Sequence, residues 1–244
     1  MTENIKKDLY VQMCLNGSYL IVQHNSLITG KQSLSLNSAK ILRATIMQVV
    51  KDDEDLKPYA LTSTELVNLL HITKDNIYRV MDNVSSELAS SFLEARQFQS
   101  GKKFKKIPWV SFCEYDDEIN KFVIQLNQAM KPVLIGLKNN YTQYTLENIL
   151  SMKSIYGIRI FELLQEKIKS KNKYINTNIE LTIEYIRECC DCENKYIRFS
   201  QFKTRVLDRG TEEINRVTLY NITYDCVKQG RVITSIIFHV KNNF

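Results

Sequence analysis

The order of elements that the sequence predicts is that of an α+β protein in which one pattern occurs twice. In each half, apolar residues at helical spacing precede a short strand, two helices separated by a tight turn, and a β-hairpin. Two helices joined by a tight turn and followed by a hairpin make a winged helix. We therefore predict two tandem winged-helix domains, with an unrelated α+β domain that contains a chance repeat as the alternative.

The first half begins with a helix that leads into the predicted helix-turn-helix. The run LNSAKILRATIMQVV, from Leu36, places its apolar residues at helical spacing. Residues 58–61 suit a short strand, and Thr62 with Glu65 three residues later has the pattern of a capping box. After a short turn, Thr73 is expected to cap a second helix. The apolar face of that helix contains Ile77, Val80, Met81, Val84 and Leu88.

The hairpins and the second helix-turn-helix are predicted from the same kinds of signal. Residues 107–127 contain two strand-like runs on either side of residues 116–120, which indicates a hairpin. In the second half, Thr182 and Ser200 are expected to cap the two helices. The last hairpin has Gly230 in its turn. The helix after Ser200 carries one apolar face, formed by Phe202, Val206, Gly210, Ile214 and Val217.

The repeat sets the expected domain limits. We place the boundary at residues 137–143 and predict an N-terminal winged-helix domain over 19–137 and a C-terminal one over 144–244. Residues 1–18 have no clear pattern and are expected to form a mobile arm. The net charge is +2 over residues 1–140 and +4 over 141–244. The C-terminal domain therefore carries the larger positive charge, which would make it the main site of contact with a polyanion such as DNA.

Composition narrows the class of protein. The chain has 244 residues, a formal net charge of +6 and a pI near 8.9, which is compatible with nucleic-acid binding. Its 7 glycines form no phosphate-binding loop motif. No run of about 18 apolar residues occurs, and the N-terminus lacks a signal-peptide pattern, so we expect a cytoplasmic protein without membrane contact. The six cysteines should then be free thiols.

The residue patterns that would indicate catalysis or metal binding are weak. A nickase needs a His-apolar-His pair beside a nucleophilic tyrosine, whereas His24, His71 and His239 are isolated. Cysteines at 189, 190 and 192 have the wrong spacing for structural zinc and lack a fourth ligand. Four acidic residues within 114–118 are typical of a solvated hairpin tip. We therefore expect no catalytic residue, no metal site and no cofactor.

Polar residues on the outward faces of the second helix of each motif are candidates for base contacts. An α-helix fits the major groove of double-stranded DNA, where base edges present distinguishable donors and acceptors. Arg198 precedes the helix of the second motif, and Lys203 lies near the apolar stripe, which suits a phosphate contact. The outward residues are Asn76, Arg79, Asn83 and Ser86 in the first motif, and Gln201, Thr204, Arg205 and Asp208 in the second.

Basic residues beside the two hairpins are candidates for contacts to the DNA backbone, because phosphates attract cations without regard to sequence. They lie where the wing of a winged helix would touch the duplex. They are Lys102, Lys103, Lys105 and Lys106 just before the first hairpin, and Lys228 and Arg231 at the tip of the second.

Four stretches carry a resemblance to a known family. YTQYTLENILSMKSIYGIRIFELL, FSQFKTRVLDRGTEEIN and VKQGRVITSIIFHV, in that order, together with the earlier VQHNSLI, resemble the plasmid replication initiators that bind iterons. The resemblance covers residues 19–240. By the family's motif, the basic positions of the second recognition helix correspond to Arg198, Lys203 and Arg205. Gly210 departs from that motif and weakens its helix by about 1 kcal/mol relative to Ala, but it permits close packing on a neighbouring helix.

The resemblance also implies a mode of action. In that family two winged-helix domains share one duplex, monomers bind origin repeats and help to open the DNA, and dimers formed through the N-terminal domain bind an operator and repress the initiator's own gene. The proteins recruit host replication proteins and have no catalytic residue. Two alternatives stay open from the residues alone: a winged-helix transcription regulator without an origin role, and a replication enzyme such as a nickase or primase.

Overall fold

The computed structural model describes residues 20–97, 103–168 and 176–242. They form two compact units, one of residues 20–27 and 33–146 and the other of residues 28–32 and 147–242. The division falls just after the expected boundary at 137–143, and no sequence pattern indicates that residues 28–32 join the second unit. The expected arm, residues 1–18, lies outside the described residues. Within the described ranges, no helix is both long and apolar enough to cross a bilayer.

The first unit contains most of the elements before residue 147. Two 3₁₀ turns, Lys74–Asn76 and Gln128–Met130, interrupt the regular elements. The strands are β1 (Leu20–His24), β3 (Pro58–Thr62), β4 (Phe92–Gln97), β5 (Lys103–Pro108), β6 (Val110–Asp116), β7 (Lys121–Leu126) and β8 (Tyr141–Thr145). The helices are α1 (Asn25–Thr29), which runs into the second unit, α2 (Leu36–Met47), α3 (Ser63–Leu70), α4 (Ile77–Ser90) and α5 (Lys131–Leu134).

Helix α2 is the central element of the first unit, and its residues from Ser38 to Met47 are all buried. The hydroxyl of Ser35 caps the helix by accepting a hydrogen bond from the Ser38 amide at 3.3 Å. Glu87 of α4 accepts a further bond from the Ser35 hydroxyl at 2.6 Å. The N-terminus of α2 is thereby joined to the helix of the first motif that was predicted to face DNA.

The helix-turn-helix of the first unit confirms one predicted cap and corrects another. The Thr62 hydroxyl accepts from the Glu65 amide at 3.3 Å, and the Glu65 carboxylate accepts from the Thr62 amide at 2.6 Å, which is the predicted capping box. The prediction that Thr73 caps α4 is wrong. A 3₁₀ turn precedes the helix, and the Thr73 hydroxyl accepts from the Asn76 side chain at 2.8 Å. Of the predicted apolar face, Val80 is half-buried and the others are buried: Ile77, Met81, Val84 and Leu88.

The strands of the first unit pair antiparallel. β3, β7 and β6 form one sheet in the order β3-β7-β6, and β1 pairs with β8 along its whole length. The predicted hairpin is β6–β7, and Asn120 closes its turn with a φ of 53°. β4 and β5 form a second hairpin that the sequence pattern did not predict. Of the lysines expected just before the first hairpin, Lys103, Lys105 and Lys106 are therefore part of a strand, β5.

The second unit has the predicted order of elements. It contains β2 (Lys31–Gln32), α6 (Glu147–Leu150), α7 (Ile155–Ile168), β9 (Thr177–Thr182), α8 (Ile183–Cys189), α9 (Phe199–Phe202), a π-helical segment (Lys203–Asp208), α10 (Arg209–Val217), β10 (Tyr220–Gln229) and β11 (Val232–Asn242). The three longer strands form an antiparallel sheet in the order β10-β11-β9. The hydroxyl of Thr182 caps α8 by accepting from the Tyr185 amide at 3.2 Å, as predicted.

A buried arginine explains why residues 28–32 belong to the second unit. Arg159 of α7 is 1% exposed and pairs at 2.8 Å with Glu162, which is fully buried. Nε of Arg159 donates to the carbonyl of Cys189, and Nη2 donates to the carbonyls of Ile28 and Gly30. A buried cation needs a hydrogen-bond partner for each donor, since unpaired burial of charge is costly. Arg159 therefore fixes the backbone of this early segment to α7.

Candidate nucleic-acid interface

The recognition helix of the second unit, residues 199–217, consists of α9, the π-helical segment and α10. Ser200, expected to be its N-cap, lies inside α9, so that prediction is wrong. The helix begins earlier because the Arg198 carbonyl already accepts from the amides of Gln201 and Phe202 at 3.0 and 3.1 Å. Arg198 is itself the N-cap and its side chain is exposed. Val217 of the predicted apolar face is half-buried, and the others are buried: Phe202, Val206, Gly210 and Ile214.

An arginine in α8 holds the turn that leads into the recognition helix. The Arg187 guanidinium donates to the carbonyls of Cys192, Lys195 and Tyr196 at 3.1, 2.8 and 2.8 Å. It also lies 4.3 Å from the centre of the Phe202 ring, within the range of a cation–π contact. Tyr196 adopts a φ of 54°, a conformation that is rare for a bulky residue and that these contacts sustain. The turn therefore fixes the direction in which the backbone enters the recognition helix at Arg198.

The exposed side of the recognition helix lines an open groove of about 610 Å³. Gln201, Thr204 and Arg205 are exposed on this side of the helix, as predicted from their spacing. Three cations that sequence patterns did not single out also line the groove, because their placement depends on how the helix meets the loop before α7. The groove residues are Lys153, Thr204, Arg205, Asp208, Arg209, Glu212, Glu213 and Arg216.

Two contacts seat the recognition helix on α7. An added Cβ at Gly210 would lie 2.6 Å from Cδ1 of Ile160, so the glycine allows the close approach that its position predicted. The Glu213 carboxylate, which is mostly buried, accepts from the amides of Lys153 and Ser154, both at 3.0 Å. These amides lead into α7 and have no partner within that helix, so Glu213 acts as its cap.

The π-helical segment carries an ion pair, Lys203 with Asp208, in which hydrogen bonding shifts the pKa of both side chains. Nζ of Lys203 lies 2.9 and 3.1 Å from the two carboxylate oxygens of Asp208, and the Tyr224 hydroxyl donates to the same carboxylate. Hydrogen bonding to Asp208 raises the pKa of Lys203. Burial opposes ionisation of Asp208, but bonds from Tyr224 and Lys203 hold its pKa below the usual value. Burial, and then the bond to Asp208, raises the pKa of Tyr224 to about 12.

The wing of the second unit is the β10–β11 hairpin. Gly230 forms its turn with a φ of 64°, as predicted, and the register shifts between Val227 and Lys228. Lys228 and Arg231, the predicted phosphate contacts, are both exposed at this tip. The structure therefore presents two cations at the end of a long two-stranded ribbon.

In the first unit, the residues predicted to contact DNA are spread over two elements, α4 and β5, and the turn before α4. Asn76 is half-buried and accepts from the exposed Arg79 side chain at 3.1 Å, while Asn83 is exposed further along α4. Lys105 and Lys106 are exposed on β5, and Nζ of Lys106 lies 4.4 Å from the centre of the Phe92 ring. Lys102 and the side chain of Lys103 lie outside the described residues.

Histidine, cysteine and acidic side chains do not assemble into a centre in the part of the chain that the structure describes. No group of three or more could hold a metal ion there. Nε2 of His239 lies 2.9 Å from the Asp225 carboxylate, and Nδ1 of His24 lies 2.9 Å from the Ser26 hydroxyl. Cys189, Cys190 and Cys192 are buried free thiols. Burial raises the pKa of Cys189 and of Cys192 to about 11, which keeps these two thiols protonated.

Comparison with known proteins connects this arrangement to a family. The chain matches two family models, Initiator Replication protein, WH1 over residues 20–165 and Initiator Rep protein, WH2 over residues 182–240. An uncharacterized 27.6 kDa protein of Escherichia coli is 20% identical over 234 residues, which are 91% of this chain and 96% of that protein. The PI protein of Escherichia coli is 28% identical over 144 residues, which are 54% of this chain and 46% of that protein.

A solved structure shows the same fold. The crystal structure of Pi initiator protein in complex with iteron DNA has a TM-score of 0.74 and 18% identity to this chain, and it covers 93% of this chain and 99% of that one. The predicted α+β fold with two tandem winged-helix domains is thereby confirmed. Since both winged-helix models match in the predicted order, the chain belongs to the family of initiator replication proteins, as its resemblance to plasmid replication initiators implied.

Proposed function

We propose that the protein initiates plasmid replication by binding repeated origin DNA, with the recognition helix of the second unit as its main reader. The observation that carries this proposal is the exposed polar face of a helix whose entry turn is fixed by Arg187. The fold of the whole chain is also shared with an initiator crystallised in complex with iteron DNA. A preorganised helix of this kind is suited to the major groove of a duplex.

The side chains on this face suit different bases. The planar guanidinium of Arg205 matches the O6 and N7 acceptors of guanine, and the amide of Gln201 matches adenine. Arg198, at the N-cap, is placed where the helix would enter the groove. Lys228 and Arg231 suit phosphates, because a hairpin tip whose charged side chains are both cations attracts the backbone of any sequence. In the first unit the corresponding contacts would come from Asn76, Arg79, Asn83, Lys102, Lys103, Lys105 and Lys106.

The wider role follows from the family. We propose that monomers bound to repeats help to open the duplex and recruit host replication proteins, while a free homodimer binds an operator and represses the initiator's own gene. The β6–β7 hairpin of the first unit supports a dimer contact only in part. Trp109, Val110, Phe122 and Ile124 are buried within the unit, and Phe112 is 46% exposed. Exposed apolar surface on this hairpin is therefore found at Phe112 and at Ile119, which is 55% exposed in the turn.

Binding of the full chain to the repeats beside its own gene, and to random duplex DNA, tests the proposal. Arg205→Ala should weaken binding to the repeat by about 1–3 kcal/mol and affect random DNA much less. An equal loss on both DNAs would make Arg205 a phosphate contact. Replacing Lys228 and Arg231 together by Ala should weaken binding to both DNAs and lower the salt slope by about one to two units. A lone palindrome without tandem repeats near the gene would favour a transcription regulator.

A further inference from the structure

We propose that Lys203, Asp208 and Tyr224 form a positioning latch that determines specificity: it holds the recognition helix to the wing and keeps Lys203 from binding phosphates of any sequence. The inference rests on the proposed function, because it concerns which DNA the same surface prefers. The proposal does not require any of these three residues to contact a base. They act through the side chains that they orient.

Hydrogen bonds join the three side chains of the latch through the carboxylate of Asp208. Both carboxylate oxygens of Asp208 accept from the Lys203 ammonium, and the Tyr224 hydroxyl donates to one of them. The ammonium also lies 5.5 Å from the centre of the Tyr224 ring. The side chains of Lys203 and Asp208 are 45% and 31% exposed, so the pair lies at the surface that would meet DNA. A cation bonded in this way has lost part of its capacity to attract a phosphate.

The π-helical backbone is what permits the pair. Two residues five apart in an α-helix are separated by about 140° around the axis and do not face each other. A π-helix, with hydrogen bonds from i to i+5 and a wider turn, brings such residues toward the same face. The π-helical segment runs from Lys203 to Asp208, the two members of the ion pair. We infer that the ion pair and the π-helical conformation stabilise each other.

Tyr224 connects this segment to the wing. It lies on β10, and its ring packs against Phe238 of β11 with the ring centres 6.0 Å apart. Phe238 is fully buried, so the tyrosine is anchored in the sheet rather than free to move. The latch thus links the helix turn that carries Thr204 and Arg205 to the hairpin that carries the phosphate-binding cations.

The expected consequence is a preference for specific over random DNA. Asp208 lines the groove beside Arg205, and its charge repels phosphates while it engages Lys203. Removal of the carboxylate would free one lysine, which adds about one phosphate contact on any sequence. At 0.1 M salt one such contact strengthens random binding about eightfold. The repeat would gain the same contact but lose the fixed orientation of Arg205.

Asp208→Asn, a nearly isosteric change, is the test, with Glu212→Gln as the matched control. Glu212 is exposed, lines the same groove, and loses the same charge without touching Lys203 in the hydrogen bonds described. Binding of the full chain to its repeat and to random duplex is measured against salt. Asp208→Asn should raise random binding about eightfold and raise the salt slope by about 0.9. The repeat gains the same contact but loses the fixed orientation of Arg205, so the ratio of repeat to random binding should fall by more than about twofold. Glu212→Gln should change that ratio less than about twofold.

Two further variants keep the outcome decisive. Adding Lys203→Met to Asp208→Asn should return random binding and the salt slope to wild type. Tyr224→Phe keeps both charges and should weaken repeat binding with an unchanged slope. Equal effects of Asp208→Asn and Glu212→Gln, or an unchanged slope in Asp208→Asn, would overturn the latch. A wild-type protein without preference for the repeats would instead refute the proposed function, while the slopes on random DNA would still test the latch.

Discussion

Replacing Gly210 with alanine tests how closely the recognition helix must approach α7. The new Cβ would lie 2.6 Å from Cδ1 of Ile160, whereas carbon atoms in contact are usually about 3.5–4.0 Å apart. Ile160 is 1% exposed, so its terminal methyl has little free space to move into. Overpacking of this kind costs about 1–3 kcal/mol, and the better helix propensity of alanine returns about 1 kcal/mol. We expect a net destabilisation of roughly 1 kcal/mol.

A double-mutant cycle separates the two terms. Ile160→Val removes Cδ1 and by itself should cost about 0.5–1.5 kcal/mol. In that background the clash is absent, so Gly210→Ala should stabilise the protein by about 1 kcal/mol. The free energy of unfolding is measured in urea for the wild type, both single variants and the double variant. An equal effect of Gly210→Ala in both backgrounds would refute the argument that the glycine exists for close packing.

Three other changes test parts of the fold. Arg159→Met should cost about 3–5 kcal/mol in urea unfolding because it breaks the buried ion pair with Glu162; a loss below about 1 kcal/mol would mean that the ion pair is dispensable. Thr62→Ala should remove the capping box and cost about 1 kcal/mol, and unchanged unfolding would contradict that role. Iodoacetamide followed by mass mapping should label the half-buried Cys226 well before the buried Cys190, whose pKa is raised by burial; simultaneous labelling would show that the second unit opens locally.

Features set by neighbours in the sequence could be predicted, and features set by distant contacts could not. The capping box at Thr62 and the apolar stripe through Phe202 and Ile214 depend on residues within a few turns. The hairpin β4–β5 was missed because FLEARQ and KFKKIP hold a single β-branched residue between them. Exposed polar residues on the recognition helix follow from the same periodicity, whereas Lys153 joins their groove only through tertiary packing.

The contacts that seat the recognition helix are separate from the side chains proposed to read bases. Gly210 packs on Ile160, Glu213 caps the start of α7, and Arg187 holds the turn from the side of α8. None of these depends on the identity of the residues on the exposed face, at Gln201 or its neighbours. Surface substitutions away from caps and buried networks usually change stability by less than about 0.5 kcal/mol. Substitutions on the exposed face can therefore change its DNA preference without loss of the contacts that pack the recognition helix. Asp208 is different, because it lies on that face and also bonds to the wing, so its substitution would change both the DNA preference and the packing.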